Sequence, residues 1–251
     1  GILDYADDLR KGVFNLPTSA PKIENDDIVF INESNNARQQ EMAMNLYRKA
    51  YGKYGVENVM MLSPVNKGIS GRGTLNKKIQ ERVNPKSGDN EISFGANLED
   101  ENYKRYFRVG DFITVKKNDY EIINDFKEVS QIINGDLGDI IRVNKKELTF
   151  KIGDSPYTID KSEIHELIDN AWAITIHKSQ GGQANEVIIV LPDNSYFMLN
   201  SNMLYTAITR AKLKCYIIGN FKGINKAAKE QANFNRKTMI QFQSMDKNRN
   251  N

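Results

Sequence analysis

The chain has 251 residues, 39% of them apolar and 27% charged. That is enough for one large domain, or a medium and a small one, with a real hydrophobic core. No run approaches the roughly 18 consecutive apolar residues of a membrane-spanning helix. The acidic opening, Gly1-Ile2-Leu3-Asp4-Tyr5-Ala6-Asp7-Asp8, has none of the features of a secretory signal. A first residue Gly in place of Met is expected of a processed or excised piece. The single cysteine, Cys215, allows no intrachain disulfide. With His165 and His177 it is also too little for a Cys/His zinc site. Both facts fit a reducing cytoplasm. A net charge of +3 permits nucleic-acid binding without arguing for it.

In chain order, Ile28-Val29-Phe30-Ile31 follows an Asn/Asp cluster and reads as a strand. Asn35 to Tyr54 places Met42, Leu46, Ala50 and Tyr54 at helical spacing and stops at Gly55. Val59 to Leu62 is a second buried-type strand, closed by Ser63-Pro64. The glycine-rich stretch Gly68 to Gly73 leads to a helix expected over Thr74 to Val83, with Thr74 as its cap. A polar loop is expected over 86–102. From Arg105 to Leu167 the pattern changes to short alternating runs split by turn residues, such as Phe112 to Val115, Leu148 to Ile152 and Tyr157 to Ile159. Those runs predict a small antiparallel barrel. The α/β pattern resumes near Ala171, with a buried strand over Val187 to Leu191, a helix over Asn202 to Lys212 and a strand over Cys215 to Ile218. A helix over Phe221 to Asn233 and a frayed polar tail complete the chain. The sum is a βαβ domain interrupted by a β module: 1–104 and 169–251 for the α/β part, 105–168 for the insertion.

Two segments carry chemistry. Ala171 to Gln183 packs Thr175, His177, Lys178, Ser179 and Gln180 into six residues and follows them with Gly181-Gly182. Such a run can hold phosphates of a nucleotide or a nucleic-acid backbone; on residue types alone it reads equally as a capped turn with a solvated face. Asn202 to Lys212 holds Arg210 among small and apolar neighbours. A guanidinium there suits a phosphate across a cleft. An arginine on a helix, taken alone, reads first as a structural ion pair. Lys67, taken alone, reads as a solvated loop lysine.

Taken in order, Thr175-Ile-His-Lys-Ser-Gln180-Gly181, a strand ending Leu191-Pro192, then Leu204-Tyr-Thr-Ala-Ile-Thr-Arg210-Ala-Lys212, resemble motifs V and VI of superfamily 1 helicases, with wording closest to RecD-like members. Met61-Leu-Ser-Pro-Val-Asn-Lys67-Gly68, with Gly71, Leu75 and Asn76, resembles motif IV. The inserted segment resembles the small SH3-like module that RecD-like helicases carry between motifs IV and V. The resemblance spans nearly the whole chain. It implies a RecA-like parallel sheet of the P-loop NTPase type, interrupted by that module.

The resemblance also implies roles. Arg210 would be the arginine finger toward the ATP γ-phosphate, with Lys67, Gly181 and Gln183 also at the nucleotide. Thr175, His177, Lys178, Ser179 and Asn76 would contact single-stranded DNA, along which the parent would move 5′ to 3′. The chain departs from the family where Gly-Ser-Glu commonly follows the motif V Gln: it has Gly181-Gly182-Gln183, so a ribose contact there would be uncharged. Neither a G-x-x-x-x-G-K-[ST] loop nor an acidic pair after a hydrophobic strand occurs. ATP and its Mg²⁺ would therefore be gripped by a separate N-terminal RecA-like domain, and this chain alone would not hydrolyse ATP. Expected partners are single-stranded DNA, that domain, and other exonuclease or helicase subunits; no metal ligands are expected within the chain. The rival readings are a stand-alone DNA-binding module, or the helicase domain of a relaxase or phage replication protein.

Overall fold

The computed structural model describes residues 1–94 and 105–230. In chain order its elements are α1 (Ile2–Lys11), β1 (Lys22–Glu24), β2 (Ile28–Asn32), α2 (Asn36–Tyr54), β3 (Val59–Ser63), α3 (Arg72–Val83), β4 (Glu91–Phe94) and β5 (Arg105–Arg108). Then come β6 (Phe112–Val115), β7 (Asp119–Ile123), β8 (Val129–Ile132), β9 (Leu137–Val143), β10 (Glu147–Ile152) and β11 (Ser155–Asp160). Next are α4 (Lys161–Leu167), β12 (Ile168–Asn170), β13 (Ala173–Thr175), β14 (Ala184–Leu191), α5 (Ser201–Ile208), β15 (Ala211–Gly219) and α6 (Phe221–Lys229).

The main sheet has the order β1-β2-β15-β14-β3-β13. Its five strands from β2 to β13 pair in parallel, and β1 adds an antiparallel edge. Parallel strands are covered on both faces, which is why they read as continuous apolar runs. Successive side chains of β14 show this. Val187, Ile189 and Leu191 join one core with Leu9, Leu204, Ile208, Phe221 and Ile224, under α1, α5 and α6. Ile188 and Val190 join the opposite core with Met44, Tyr47, Leu75, Ile79 and Trp172, under α2 and α3. Cys215 lies in the first core, fully buried, and burial pushes its thiol well above the ordinary range. It is a packing residue.

Several element boundaries differ from expectation, for local reasons. The second helix begins at Asn36 because Asn35 is its cap, accepting from the amides of Ala37 and Arg38. The third begins at Arg72, not Thr74, whose hydroxyl donates back to the Gly68 carbonyl. The fifth stops at Ile208, four residues before the expected Lys212, because Ala211 is already paired with Ala184 in the sheet. The short α4, inside the stretch expected to be all strand, is nucleated by reciprocal capping between Asp160 and Glu163. Helix α1 was not anticipated; it buries Ile2, Ala6 and Leu9 and ends on Gly12 in the left-handed conformation. The loop expected over 86–102 lies partly outside the described residues. So do the last three residues of the helix expected to reach Asn233, and the whole tail.

Between α3 and β13 the chain forms an antiparallel sheet, β11-β10-β9-β6-β12, with two ribbons, β4-β5 and β7-β8. It has a core of its own: Ile92, Phe94, Phe107, Ile113, Val115, Phe150, Ile164 and Ile168 among others. This β module is pinned to α3 by Asp111, a fully buried carboxylate. Asp111 accepts from the Arg108 amide at 2.8 Å, from Asn84 at 2.7 Å and from Gln80. No helix among the described residues is long and apolar enough to cross a membrane.

Candidate functional site

The segment after β13 is a folded turn. Ile176 is buried and anchors it, and His177–Ser179 forms one turn of 3₁₀ helix. Thr175 Oγ1 accepts from the Lys178 amide at 3.3 Å, and the Gly182 amide donates to Ser179 O at 3.1 Å. Gly181 has φ +88, a conformation that favours glycine. His177 and Lys178 are exposed at the rim. Ser179, expected to contact DNA, is instead buried, and its hydroxyl donates to Ile176 O at 2.7 Å. It builds the turn.

The turn joins two edges of the sheet. Thr175 pairs with Ser63, so Thr175, His177 and Lys178 stand at the carboxyl ends of the strands. Gly182 and Gln183 stand at the amino end of β14. The wound turn keeps the two groups near one another along the chain, with the Gly182 amide against Ser179 O.

Arg210 belongs to the amino edge. It follows α5 and precedes β15, in the connection between them. Its Nε donates to Thr206 O at 3.0 Å, Nη1 to Gly182 O at 3.0 Å and Nη2 to Thr209 Oγ1 at 3.2 Å. All three acceptors are neutral. Among the described residues Arg210 has no carboxylate partner, so the ion-pair reading finds no partner there. A guanidinium has five N–H donors. Three are used within the domain.

Lys67 belongs to the other edge. Its loop follows β3 and is tightly wound, with the Arg72 amide donating to Val65 O at 2.9 Å and Gly71 N to Gly68 O at 3.1 Å. A Cβ on Gly71 would stand 2.3 Å from Lys67 O, so only glycine fits there. The winding presents Lys67 outward at the carboxyl edge, beside the start of α2, where Ser70 Oγ donates to Asn36 O at 3.0 Å. The expected nucleotide set is thereby divided. Gly181, Gln183 and Arg210 share the amino edge; Lys67 does not, and lies on the side of Thr175 and His177.

Asn76, the other expected DNA contact, is likewise turned into the protein. It is 4% exposed. Its Oδ1 accepts from Ala173 N at 2.8 Å, while Nδ2 donates to Ala173 O at 2.8 Å and to Arg72 O at 3.0 Å. β13 is the outermost strand of the sheet. The amide therefore satisfies the free edge of that strand as a further strand would, and positions the turn that follows.

One group of charges escaped the sequence reading. Asp169 of β12 pairs with Arg72 at 2.8 Å and with Arg105 at 3.3 Å. Lys116, whose ammonium donates to the His165 carbonyl, lies close by. Burial holds the Lys116 pKa below the ordinary lysine value, and Arg105, Lys178 and Arg72 push it the same way against Asp169. Two arginines thus pair with one carboxylate, and Lys116, with Lys178 near it, stands beside them where the β module meets the carboxyl edge. They come from α3, β5, the segment after β6 and the turn after β13. No sequence window contains two of them close together, so no motif could have announced them.

Residues 170–218, which run from the end of β12 through the turn and Arg210 into β15, match the model of the UvrD-like helicase C-terminal domain. The chain is 30% identical over 173 residues to the ATP-dependent RecD2 DNA helicase of Deinococcus radiodurans, covering 69% of this chain and 22% of that protein. It is 26% identical over 224 residues to the RecBCD enzyme subunit RecD of Buchnera aphidicola subsp. Acyrthosiphon pisum, covering 79% of this chain and 34% of that one. It thus spans about a fifth to a third of these relatives. The crystal structure of Pif1 helicase from Bacteroides in complex with ADP-AlF3 and ssDNA superposes with a TM-score of 0.50 at 14% identity, over 99% of this chain and 54% of that one. That likeness shows the fold, a RecA-like α/β domain. The chain corresponds to the C-terminal helicase domain of superfamily 1. Within that class it is of the RecD-like kind.

Proposed function

We propose that this chain is the second motor domain of an ATP-dependent DNA helicase, with the nucleotide at the amino edge of its sheet and single-stranded DNA along the carboxyl edge. The observation that carries the reading is Arg210. Its charge is uncompensated among the described residues, and three neutral acceptors hold it in one orientation. Such a group is built to meet a negative charge arriving from outside the domain. ATP, bound by a first RecA-like domain facing this edge, would supply a γ-phosphoryl group whose transfer builds charge on its oxygens. Arg210 stabilises that charge only when the two domains are closed, which couples closure to hydrolysis. Gly181 and Gln183 border the same space, Gln183 through a neutral amide. Among the described residues no three acidic, His or Cys side chains are grouped to hold a metal. The Mg²⁺ that accompanies ATP is assigned to the facing domain.

On the opposite edge Thr175, His177, Lys178 and Lys67 offer sequence-independent contacts to the phosphate backbone. The cations around Asp169 extend that surface onto the β module, which we read as the family's SH3-like insertion at 105–168. A backbone grip without base readout suits a motor that must pass every sequence. We assign the 5′ to 3′ direction, and association with further exonuclease or helicase subunits, from the likeness to RecD proteins.

The test uses the full-length parent. Arg210→Ala should lower DNA-stimulated kcat by roughly 10³-fold with DNA affinity retained, whereas Lys178→Ala should weaken DNA binding and leave basal ATPase intact. An unchanged kcat for Arg210→Ala removes the nucleotide from the amino edge. A stand-alone DNA-binding module would show the Lys178 effect alone.

A further inference from the structure

Phe197 is 85% exposed, the most exposed large apolar side chain among the described residues. It does not sit on a loose loop. It belongs to a 3₁₀ segment, Asp193–Met198, at the carboxyl end of β14. The residues just before it are clamped inward. Ser195 is buried and its hydroxyl donates to Pro192 O. Tyr196 donates to Leu191 O at 3.1 Å and accepts from the Asn220 amide at 2.6 Å. Burial of a phenylalanine side chain is favourable. Here the backbone is fixed so that the ring is held out of the core.

The segment is continuous with the surface assigned above to DNA. The Asp193 amide donates to Asn36 Oδ1 at 3.1 Å, and Ser70 of the Lys67 loop donates to the backbone oxygen of the same Asn36. Asn36 therefore fastens the Lys67 loop and the Phe197 segment side by side. In the sheet order, β14 is two strands from β13, which carries Thr175. That is about 10 Å between the two strands at the usual spacing, and the segment runs on from β14 toward α6, where Tyr196 meets Asn220, so Phe197 stands a few nucleotides along from the phosphates near His177 and Lys178. Ile69 and Met198, also partly exposed, lie on this rim.

We propose that Phe197 is a base-stacking platform: a nucleobase of the bound single strand lies on its ring while the cations nearer β13 hold the backbone. Stacking on an aromatic face tolerates every base, so the contact adds grip without adding sequence preference. The inference rests on the DNA reading of the carboxyl edge.

The experiment uses this chain and labelled oligo-dT. Phe197→Ala should weaken binding by roughly ten-fold while leaving the dependence of affinity on salt unchanged, since no phosphate contact is lost. Lys178→Ala should instead flatten that dependence by about 0.7 in log–log slope. Phe197→Trp should restore affinity, and its fluorescence should be quenched on adding oligo-dT. The native Trp172 is the chain's single tryptophan, and it is buried, so it provides a quiet background. An oligonucleotide of abasic sites should bind the wild type and Phe197→Ala equally. Wild-type affinity for oligo-dT in Phe197→Ala, with no quenching in Phe197→Trp, overturns the proposal and makes the ring a contact for the facing domain. Failure of the wild type itself to bind oligo-dT overturns the DNA reading and the stacking proposal with it.

Discussion

Replacing Asn76 with alanine separates a positioning role from a direct DNA contact. The side chain is buried and touches only protein: Ala173 N and O, each at 2.8 Å, and Arg72 O at 3.0 Å. Alanine leaves the Ala173 N–H and C=O without partners on the outer side of β13. An orphaned buried polar group costs about 1–3 kcal/mol. Two of them, softened by relaxation at an edge strand, should cost about 3 kcal/mol. For a domain of this size that is a fall in Tm of roughly 6–12 °C. A thermal melt followed by circular dichroism reads it directly. Because β13 leads into the turn carrying His177 and Lys178, DNA affinity should fall as well. A melt within a degree of wild type, together with a large loss of DNA binding, would refute this reasoning and restore Asn76 as a direct contact.

Four further expectations follow from the same structure. The chain alone should show negligible DNA-stimulated ATPase, since it lacks a P-loop; turnover that survives purification and disappears with Arg210→Ala would contradict this. Asp111 should tie stability to pH. Burial raises its folded pKa to about 6, above the ordinary carboxylate value of 3.8, so its favourable contribution is complete below pH 4 and lost as pH rises through 6. Relative to Asp111→Asn, the wild type should lose about 2–3 kcal/mol between pH 4 and 7, and parallel stability curves in denaturant titrations would refute it. Replacing residues 91–168, which takes β4 out with the rest of the β module, with a short linker should leave the parallel-sheet domain able to melt cooperatively, because the β module has its own core; loss of the cooperative melt would argue that the clasp at Asp111 and the Asp169 pairs are indispensable. The isolated chain should bind single-stranded DNA at roughly micromolar Kd or weaker at physiological salt, with little base preference, as fluorescence anisotropy at several salt concentrations will show.

What the sequence determined by itself is local. Strand and helix periods fall within a few residues of their final places wherever an apolar run is bounded by its own cap or stop, as Asn35 and Gly55 bound α2. The ordered pair of segments around His177 and Arg210 was legible because each is contiguous and its residue types are unusual together. Where pairing in the sheet overrides local preference, the sequence misleads: α5 looks able to run to Lys212, but Ala211 is claimed by Ala184. Which end of the sheet a residue occupies is decided only in three dimensions. Lys67 and Arg210 read alike as cations for one nucleotide, yet parallel pairing puts their loops at opposite edges. Asn76 reads as a polar residue on offer, and packing of α3 against the sheet's free edge engages both of its N–H donors and its oxygen. The cations around Asp169 come from four separated elements, and no period or motif can register a cluster that exists only because the β module folds back against the carboxyl edge.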